Sequence, residues 1–275
     1  MKIVRSLVIT GFGINCEEEM AAAYLLSGAE AVVVHLNDIL VEGFSIHDFD
    51  IINFPGGFSF GDDIASGRVL ANKIKYRKLP NGRPFIDEIR TFIENGKYIF
   101  GVCNGFQVLV KLGLLPGISG GAVQDATLTR NDSSRFEDRW CRLVVQHGER
   151  TPFLSGISDM HLPVRHGEGK LVFRNDIVAA AVLNGGLDVM AYANENGNPA
   201  SGYPENPNGS QYNVAALTDI TGQVFGMMPH PEAALTVYND PQWGKMLREN
   251  PDRSHDGDGL AIFKNIVNHI KETRT

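Results

Sequence analysis

The sequence predicts an α/β protein with a mainly parallel sheet, helices on both faces and a smaller antiparallel extension. Three observations predict it. Short apolar runs alternate with segments of helical periodicity throughout residues 4–110. One of these runs feeds a Gly-x-Cys-x-Gly turn. The second half carries several short β-type runs with turns between them. Strands joined by helical crossovers build right-handed βαβ units, and a parallel sheet buries both of its faces.

Taken in order, residues 4–10 read as a first strand, and residues 17–27, rich in Ala and Leu, as a helix ended by Gly28. Residues 31–36 and 49–54 read as strands two and three, the latter stopped by Pro55-Gly56-Gly57. Helical spacing follows at 68–75 and 84–95, the second closed by Gly96. Residues 98–102 form the next strand. Beyond it, residues 141–146, 171–173, 189–192 and 214–217 are short β-type runs that extend the same sheet. Residues 194–213, rich in Asn, Gly, Pro and Ser, read as loop. Leu260, Ile262, Phe263, Ile266, Val267 and Ile270 recur at helical spacing in a closing amphipathic helix. No repeat or linker interrupts the chain, so residues 1–275 are expected to form a single domain.

Composition narrows the function. A net charge of −7 leaves no basic footprint for nucleic acid. Three widely spaced cysteines (Cys16, Cys103, Cys141) give neither a disulfide framework nor a metal-ligand spacing. No metal is expected, and the low cysteine count suits a reducing cytoplasm. The stretch opening with Met1 and Lys2 carries no signal-peptide pattern, and no apolar run approaches a membrane span.

The chemistry is expected at Cys103. A cysteine between Gly101 and Gly105, at a strand-to-helix bend, is how a chain presents a nucleophile, and a helix N-terminus favours a thiolate. A nucleophile needs a base, and the base an orienting acceptor. His230 lies in Met227-Met228-Pro229-His230-Pro231-Glu232, where the two prolines should hold the chain extended. Residues i and i+2 of an extended chain share a side, which sets Glu232 beside His230. Backbone N–H groups of Asn104 and Gly57 are the candidate oxyanion donors. Taken singly, each has a plainer reading: a buried apolar cysteine, a surface His-x-Glu pair, an ordinary turn. Gly11-Phe12-Gly13 lacks the third glycine of a dinucleotide loop, Cys16 standing in its place.

Residues 101–109 (Gly-Val-Cys-Asn-Gly-Phe-Gln-Val-Leu), 55–62 (Pro-Gly-Gly-Phe-Ser-Phe-Gly-Asp) and 227–232 together resemble the class I glutamine amidotransferases, a flavodoxin-like fold. Within that class the resemblance is to glutaminase subunits of phosphoribosylformylglycinamidine synthase. It extends to Leu128-Thr129-Arg130-Asn131 with Phe136, to His166-Gly167-Glu168-Gly169 and to Asn206-Pro207-Asn208-Gly209-Ser210. It implies that Cys103 forms a γ-glutamyl thioester, with His230 and Glu232 completing the triad and Gly57 and Asn104 holding the oxyanion. Gly56, Gln107, Asn131 and Phe136 are the implied glutamine contacts, although Gln107 also fits an interior residue that bonds loop backbone. His166 and Glu168 are assigned to an interface or ammonia path, with pinning of a loop as the other role open to them.

The ammonia is expected to serve a synthetase subunit that uses ATP and Mg, bridged by a small third subunit, with no cofactor in this chain. A glutaminase for another synthetase, a γ-glutamyl hydrolase, a cysteine peptidase and a non-catalytic binding module are the competing readings. Two features depart from the family pattern: the residues before Asn15-Cys16, and extra length at 194–213 and 236–258, the latter bearing on the contacts with partner subunits and not on the triad. Cys16 is expected to start a helix.

Overall fold

The computed structural model describes residues 3–120 and 123–273, so the N-terminal reading at Met1 and Lys2 lies outside the described residues. The first half follows the expected alternation: β1 (Arg5–Thr10), α1 (Glu17–Leu26), β2 (Glu30–His35), a short α2 (Leu36–Leu40), β3 (Ile51–Phe54), α3 (Arg68–Tyr76), α4 (Phe85–Glu94), β4 (Tyr98–Val102) and α5 (Asn104–Lys111). The second half contains β5 (Ala126–Thr129), β6 (Glu137–Val145), β7 (Asp159–His166), β8 (Lys170–Phe173), α6 (Asp176–Gly185), β9 (Met190–Ala193), β10 (Val214–Thr218), β11 (Val224–Met227), α7 (Trp243–Glu249) and α8 (Leu260–Thr273).

Nine strands form one sheet in the order β2-β1-β3-β4-β11-β10-β9-β6-β7. The five from β2 to β11 are parallel, and the rest pair antiparallel. β3 and β11 are buried at every residue, as a sheet covered on both faces requires. Helices α1 and α8 pack together, with Tyr24 edge-on to Phe263 at 5.1 Å, while α3, α4 and α5 form another group. Beneath the carboxyl ends of β4 and β11, Phe100, Phe153 and Phe225 stack with ring centroids 5.1–5.4 Å apart. Burial of each such ring contributes about 1.5–3 kcal/mol. A polar thread crosses the same core: the Tyr24 hydroxyl donates to Asn53, whose amide donates to Ser6 and to the Leu7 carbonyl.

One expectation is corrected. The run at 171–173 does not extend the main sheet; as β8 it pairs antiparallel with β5 in a separate two-stranded sheet. Five elements had no clear periodicity: α2, β5, β7, α6 and α7. β7 carries Pro163 and alternating charges, features tolerated because it is the sheet's edge strand. α6 starts at Asn175, whose side chain accepts from the Val178 N–H at 3.0 Å. No helix among the described residues is long and apolar enough to cross a membrane.

Candidate active site

The sheet delivers Cys103 and His230 to one edge. β4 and β11 are parallel neighbours in register, Val102 opposite Met227. The Cys103 N–H donates to the Met227 carbonyl (2.8 Å), and the Cys103 carbonyl accepts from Gln107 N–H (3.0 Å), starting α5. Between these anchors Cys103 adopts φ 49°, ψ −104°, a strained conformation costing about 1–3 kcal/mol. The flanking glycines are obligatory for clearance. A Cβ on Gly105 would lie 1.8 Å from the Phe54 carbonyl oxygen, and one on Gly101 would lie 2.6 Å from Leu109 Cδ1. The helix can therefore approach the strands closely enough to raise the sulfur at the bend. Cys103 is only 5% exposed, and its Sγ lies 3.5 Å from the Arg165 carbonyl oxygen.

His230 follows β11, and its N–H donates to the Pro163 carbonyl at 2.8 Å. Its Nδ1 lies 2.5 Å from Glu232 Oε1, both residues buried. The pairing expected from the sequence is present, but for a different local reason. Pro231–Ala233 is a single 3-10 turn with Pro231 in its first position, not an extended chain. That turn is braced by the segment at 256–259: Gly257 N–H donates to the Leu235 carbonyl and Gly259 N–H to the Ala234 carbonyl. A Cβ on Gly259 would sit 2.0 Å from the Pro231 carbonyl oxygen. Burial pushes the His230 imidazole towards the neutral form, but the Glu232 carboxylate and the sulfurs of Cys103 and Cys16 outweigh it. The His230 pKa is held well above its ordinary value. His230 Nε2 and Glu232 Oε2 have no hydrogen-bond partner.

The two backbone donors are arranged by different means. Asn104 opens α5, so its N–H is one of the orphan donors of a helix start. Gly57 bridges Ile14 antiparallel between the bonds Asn15 N–H to Gly56 and Phe58 N–H to Gly13. That is the non-bonded position of such a pair, where the N–H points away from its partner. Gly57 has φ 146°, and a Cβ there would meet the Gly13 oxygen at 2.6 Å. The Gly11–Gly13 segment is thus the bracing partner of the Pro-Gly-Gly turn. At Gly56 a Cβ would collide with His230 Cε1 at 2.7 Å, so this glycine makes room for the imidazole.

A polar network ties α5 to two loops. Asn104 accepts from Ser59 N–H and donates to Asp62 and to Gln107 Oε1; Gln107 donates to the Glu168 carbonyl at 2.6 Å. Glu168 Oε2 accepts from Ser66 N–H, and Ser66 donates to Asp62. Gln107, 3% exposed, thus takes the interior role that the sequence left open. Burial pushes the Asp62 carboxyl up and the Lys111 ammonium down to about 8, the latter against the pull of Glu168. The loop that carries Asp62 bends through positive φ at Phe60, Asp62 and Ile64.

Asn131 and His166 sit behind the cleft. Asn131 donates to the Arg135 and His166 carbonyls and accepts from Gly169 N–H and His166 Nδ1. Those four bonds use its full capacity, leaving none for a ligand. The Asn208 amide faces His166 Nε2 at 3.4 Å, which fits the neutral ring protonated at Nδ1. Burial, helped by the charge of His230, pushes the His166 pKa down to about 3. His166 is 2% exposed, and Asn131 bonds its ring, its carbonyl and the Gly169 N–H of the same loop. Phe136, half exposed, has its ring 6.2 Å from that of Phe58, also exposed.

The sequence reading passed over Cys16, Asp62 and the carbonyls of Pro163 and Arg165. Cys16 starts α1 as expected, yet its sulfur also lies within 4.8 Å of a ring nitrogen of His230 and an oxygen of Glu232. The two carbonyls lie on a strand whose pairing only the tertiary fold reveals. The paired glycines Gly257 and Gly259 were the one legible sign that their loop packs closely on another backbone.

Comparison with known proteins places the chain in a family. Residues 3–270 match the model of the CobB/CobQ-like glutamine amidotransferase domain. A phosphoribosylformylglycinamidine synthase subunit PurQ of Dehalococcoides mccartyi is 39% identical, covering 99% of this chain and all of its own. The PurQ subunit of Methanococcus maripaludis is 39% identical over the same shares. Among solved structures, PurLQS from Thermotoga maritima aligns over 98% of this chain and 100% of the matched chain, with a TM-score of 0.68 and 27% identity. The chain belongs to the glutamine amidotransferases of this domain family and, within them, to the PurQ subunits of phosphoribosylformylglycinamidine synthase.

Proposed function

We propose that this chain, a single domain, hydrolyses glutamine to glutamate and ammonia and hands the ammonia to a synthetase subunit. That subunit uses ATP and Mg to convert formylglycinamide ribonucleotide to the amidine, and a small third subunit bridges the two in the cytoplasm. The observation that carries the reading is the strained Cys103 elbow beside a buried His230–Glu232 pair, in a chain of PurQ kinship. Cys103 Sγ attacks the side-chain amide carbon and its proton passes to His230. The oxyanion faces the Gly57 and Asn104 N–H groups. His230 then returns the proton to the departing nitrogen, forming ammonia and the thioester. Water, deprotonated by His230, hydrolyses the thioester to glutamate. Glu232 holds the imidazole and favours its protonated form. Gly56 keeps the space that the ring occupies, and Phe136 lies at the rim, where substrate enters.

The contact between Cys103 Sγ and the Arg165 carbonyl describes a resting nucleophile, turned to a backbone acceptor. Low turnover of the isolated chain follows, rising when the synthetase docks. The decisive experiment is Cys103→Ala in the assembled complex. Glutamine-dependent amidine synthesis should vanish while synthesis from added ammonia persists; loss of both would remove the reading. Release of glutamate from γ-glutamyl peptides as fast as from glutamine would replace it with a γ-glutamyl hydrolase.

A further inference from the structure

We propose that Cys16, His230 and Glu232 form an inhibitory site for a thiophilic divalent cation, with Zn²⁺ the best match. The inhibitory part rests on the reading of His230 as the base for Cys103. Taking one ligand atom from each residue, a sulfur, an imidazole nitrogen and a carboxylate oxygen lie within 4.8 Å of one another. Among the described residues no other set of three such side chains converges in this way. Cysteine spacing alone concealed it, because the histidine and the acid arrive from the far end of β11.

Three features make this more than a chance cluster. Cys16 is held at the start of α1 by its N–H bond to the Gly56 carbonyl (3.3 Å). A Cβ on Gly56 would lie 3.2 Å from Cys16 Sγ and 2.7 Å from His230 Cε1, so the glycine turn leaves thiol and ring facing across one gap. On these residues two polar atoms, His230 Nε2 and Glu232 Oε2, are buried without any hydrogen-bond partner. Cys16 is partly exposed and gives solvent access. The donor set of sulfur, nitrogen and oxygen suits zinc and excludes magnesium and calcium, which take oxygen ligands.

Binding replaces protons. The Cys16 thiol releases its proton to solvent as the cation takes the sulfur lone pair, the cation takes a lone pair of the neutral His230 imidazole, and no redox step is involved. Affinity therefore falls as pH drops. With its imidazole coordinated, His230 can no longer accept the Cys103 proton, so glutamine hydrolysis stops while the partner's ammonia-dependent chemistry continues.

The test uses the full chain, with Co²⁺ as spectroscopic probe and Zn²⁺ as inhibitor. Co²⁺ should give a thiolate-to-metal charge-transfer absorption at one equivalent, lost in Cys16→Ser and kept in Cys103→Ser. In the complex with the synthetase, Zn²⁺ should suppress glutamine-dependent but not ammonia-dependent synthesis, and Cys16→Ser should require at least tenfold more Zn²⁺. An absorption that survives in Cys16→Ser, no absorption in the unaltered chain, or equal Zn²⁺ sensitivity of the two proteins overturns the proposal. If the absorption depends on Cys16 and His230 but glutamine hydrolysis survives His230→Ala, the metal site stands and the assigned role of the base falls.

Discussion

The parallel and antiparallel halves of the nine-stranded sheet meet at one cleft but contribute to it by different physics. The parallel half supplies Cys103, Asn104 and Gly57 through local geometry: a bend, a helix start and a bridge, each enforced by a glycine with no room for a Cβ. The antiparallel half supplies enclosure through long-range hydrogen bonds. The Pro163 and Arg165 carbonyls of β7 reach His230 and Cys103, and the Asn131–His166 pair anchors the loop that Gln107 and Ser66 grip. Steric devices are rigid and leave a sequence signature. Hydrogen-bonded clamps can be released one at a time and leave almost none.

If that contrast is right, changes in the two halves should fail in different ways. The largest effect is expected from Gly105→Ala, whose Cβ would meet backbone at 1.8 Å. It should cost more than about 4 kcal/mol, seen as loss of cooperative thermal unfolding by circular dichroism. A variant within about 1 kcal/mol of the unaltered chain would break the claim that the elbow is sterically fixed. Glu232→Gln should come next, lowering glutamine-dependent turnover on the order of 10³-fold by removing the imidazole's orienting charge. Since that carboxylate raises the His230 pKa, imidazole NMR should show the ring titrating at lower pH in the variant. An unmoved titration would mean that Glu232 only packs.

On the other side of the cleft, Asn131→Ala should cost about 2–3 kcal/mol through the buried groups left unpaired. Its signature is local: faster amide hydrogen exchange at 166–169 with little change in β4 and α5. Uniform acceleration would erase the distinction between the halves. The smallest effect is set by pH. His166 binds a proton near pH 6.5 when unfolded but only near pH 3 when folded, so the unfolded chain gains the proton first on acidification. Its contribution to stability is intact above pH 6.5 and falls by about 1.4 kcal/mol per pH unit below it, down to about pH 3. Urea titrations at pH 7 and 5.5 should show that loss, and His166→Asn should remove it.

The same division explains what could be read from the chain. The strands of the parallel half, the elbow and the closing helix were legible because apolar runs and glycines mark them directly. The residues proposed for the site on that side were legible for the same reason. Glu232 was placed beside His230 by an argument about extended chain, whereas a 3-10 turn achieves it; the pairing survived because either geometry brings i and i+2 together. β7 was illegible, since an edge strand with Pro163 and alternating charges looks like loop. The bonding of His166 and Asn131 was illegible too, because their partners lie far along the sequence and no local pattern encodes them. Cys16 was read for its position at a helix start, and His230 follows β11, a strand that does not pair with β1.

The in-register pairing of Val102 with Met227 has a consequence for how such a protein can change. Cys103 and His230 each leave the sheet just past that pair, so their separation is counted in strand widths, not in residues along the chain. Everything between them in sequence is a detour that returns to a fixed address. Hairpins can lengthen, loops can be inserted and new surfaces acquired for new partners, while the reacting atoms stay where the lattice of two adjacent strands puts them.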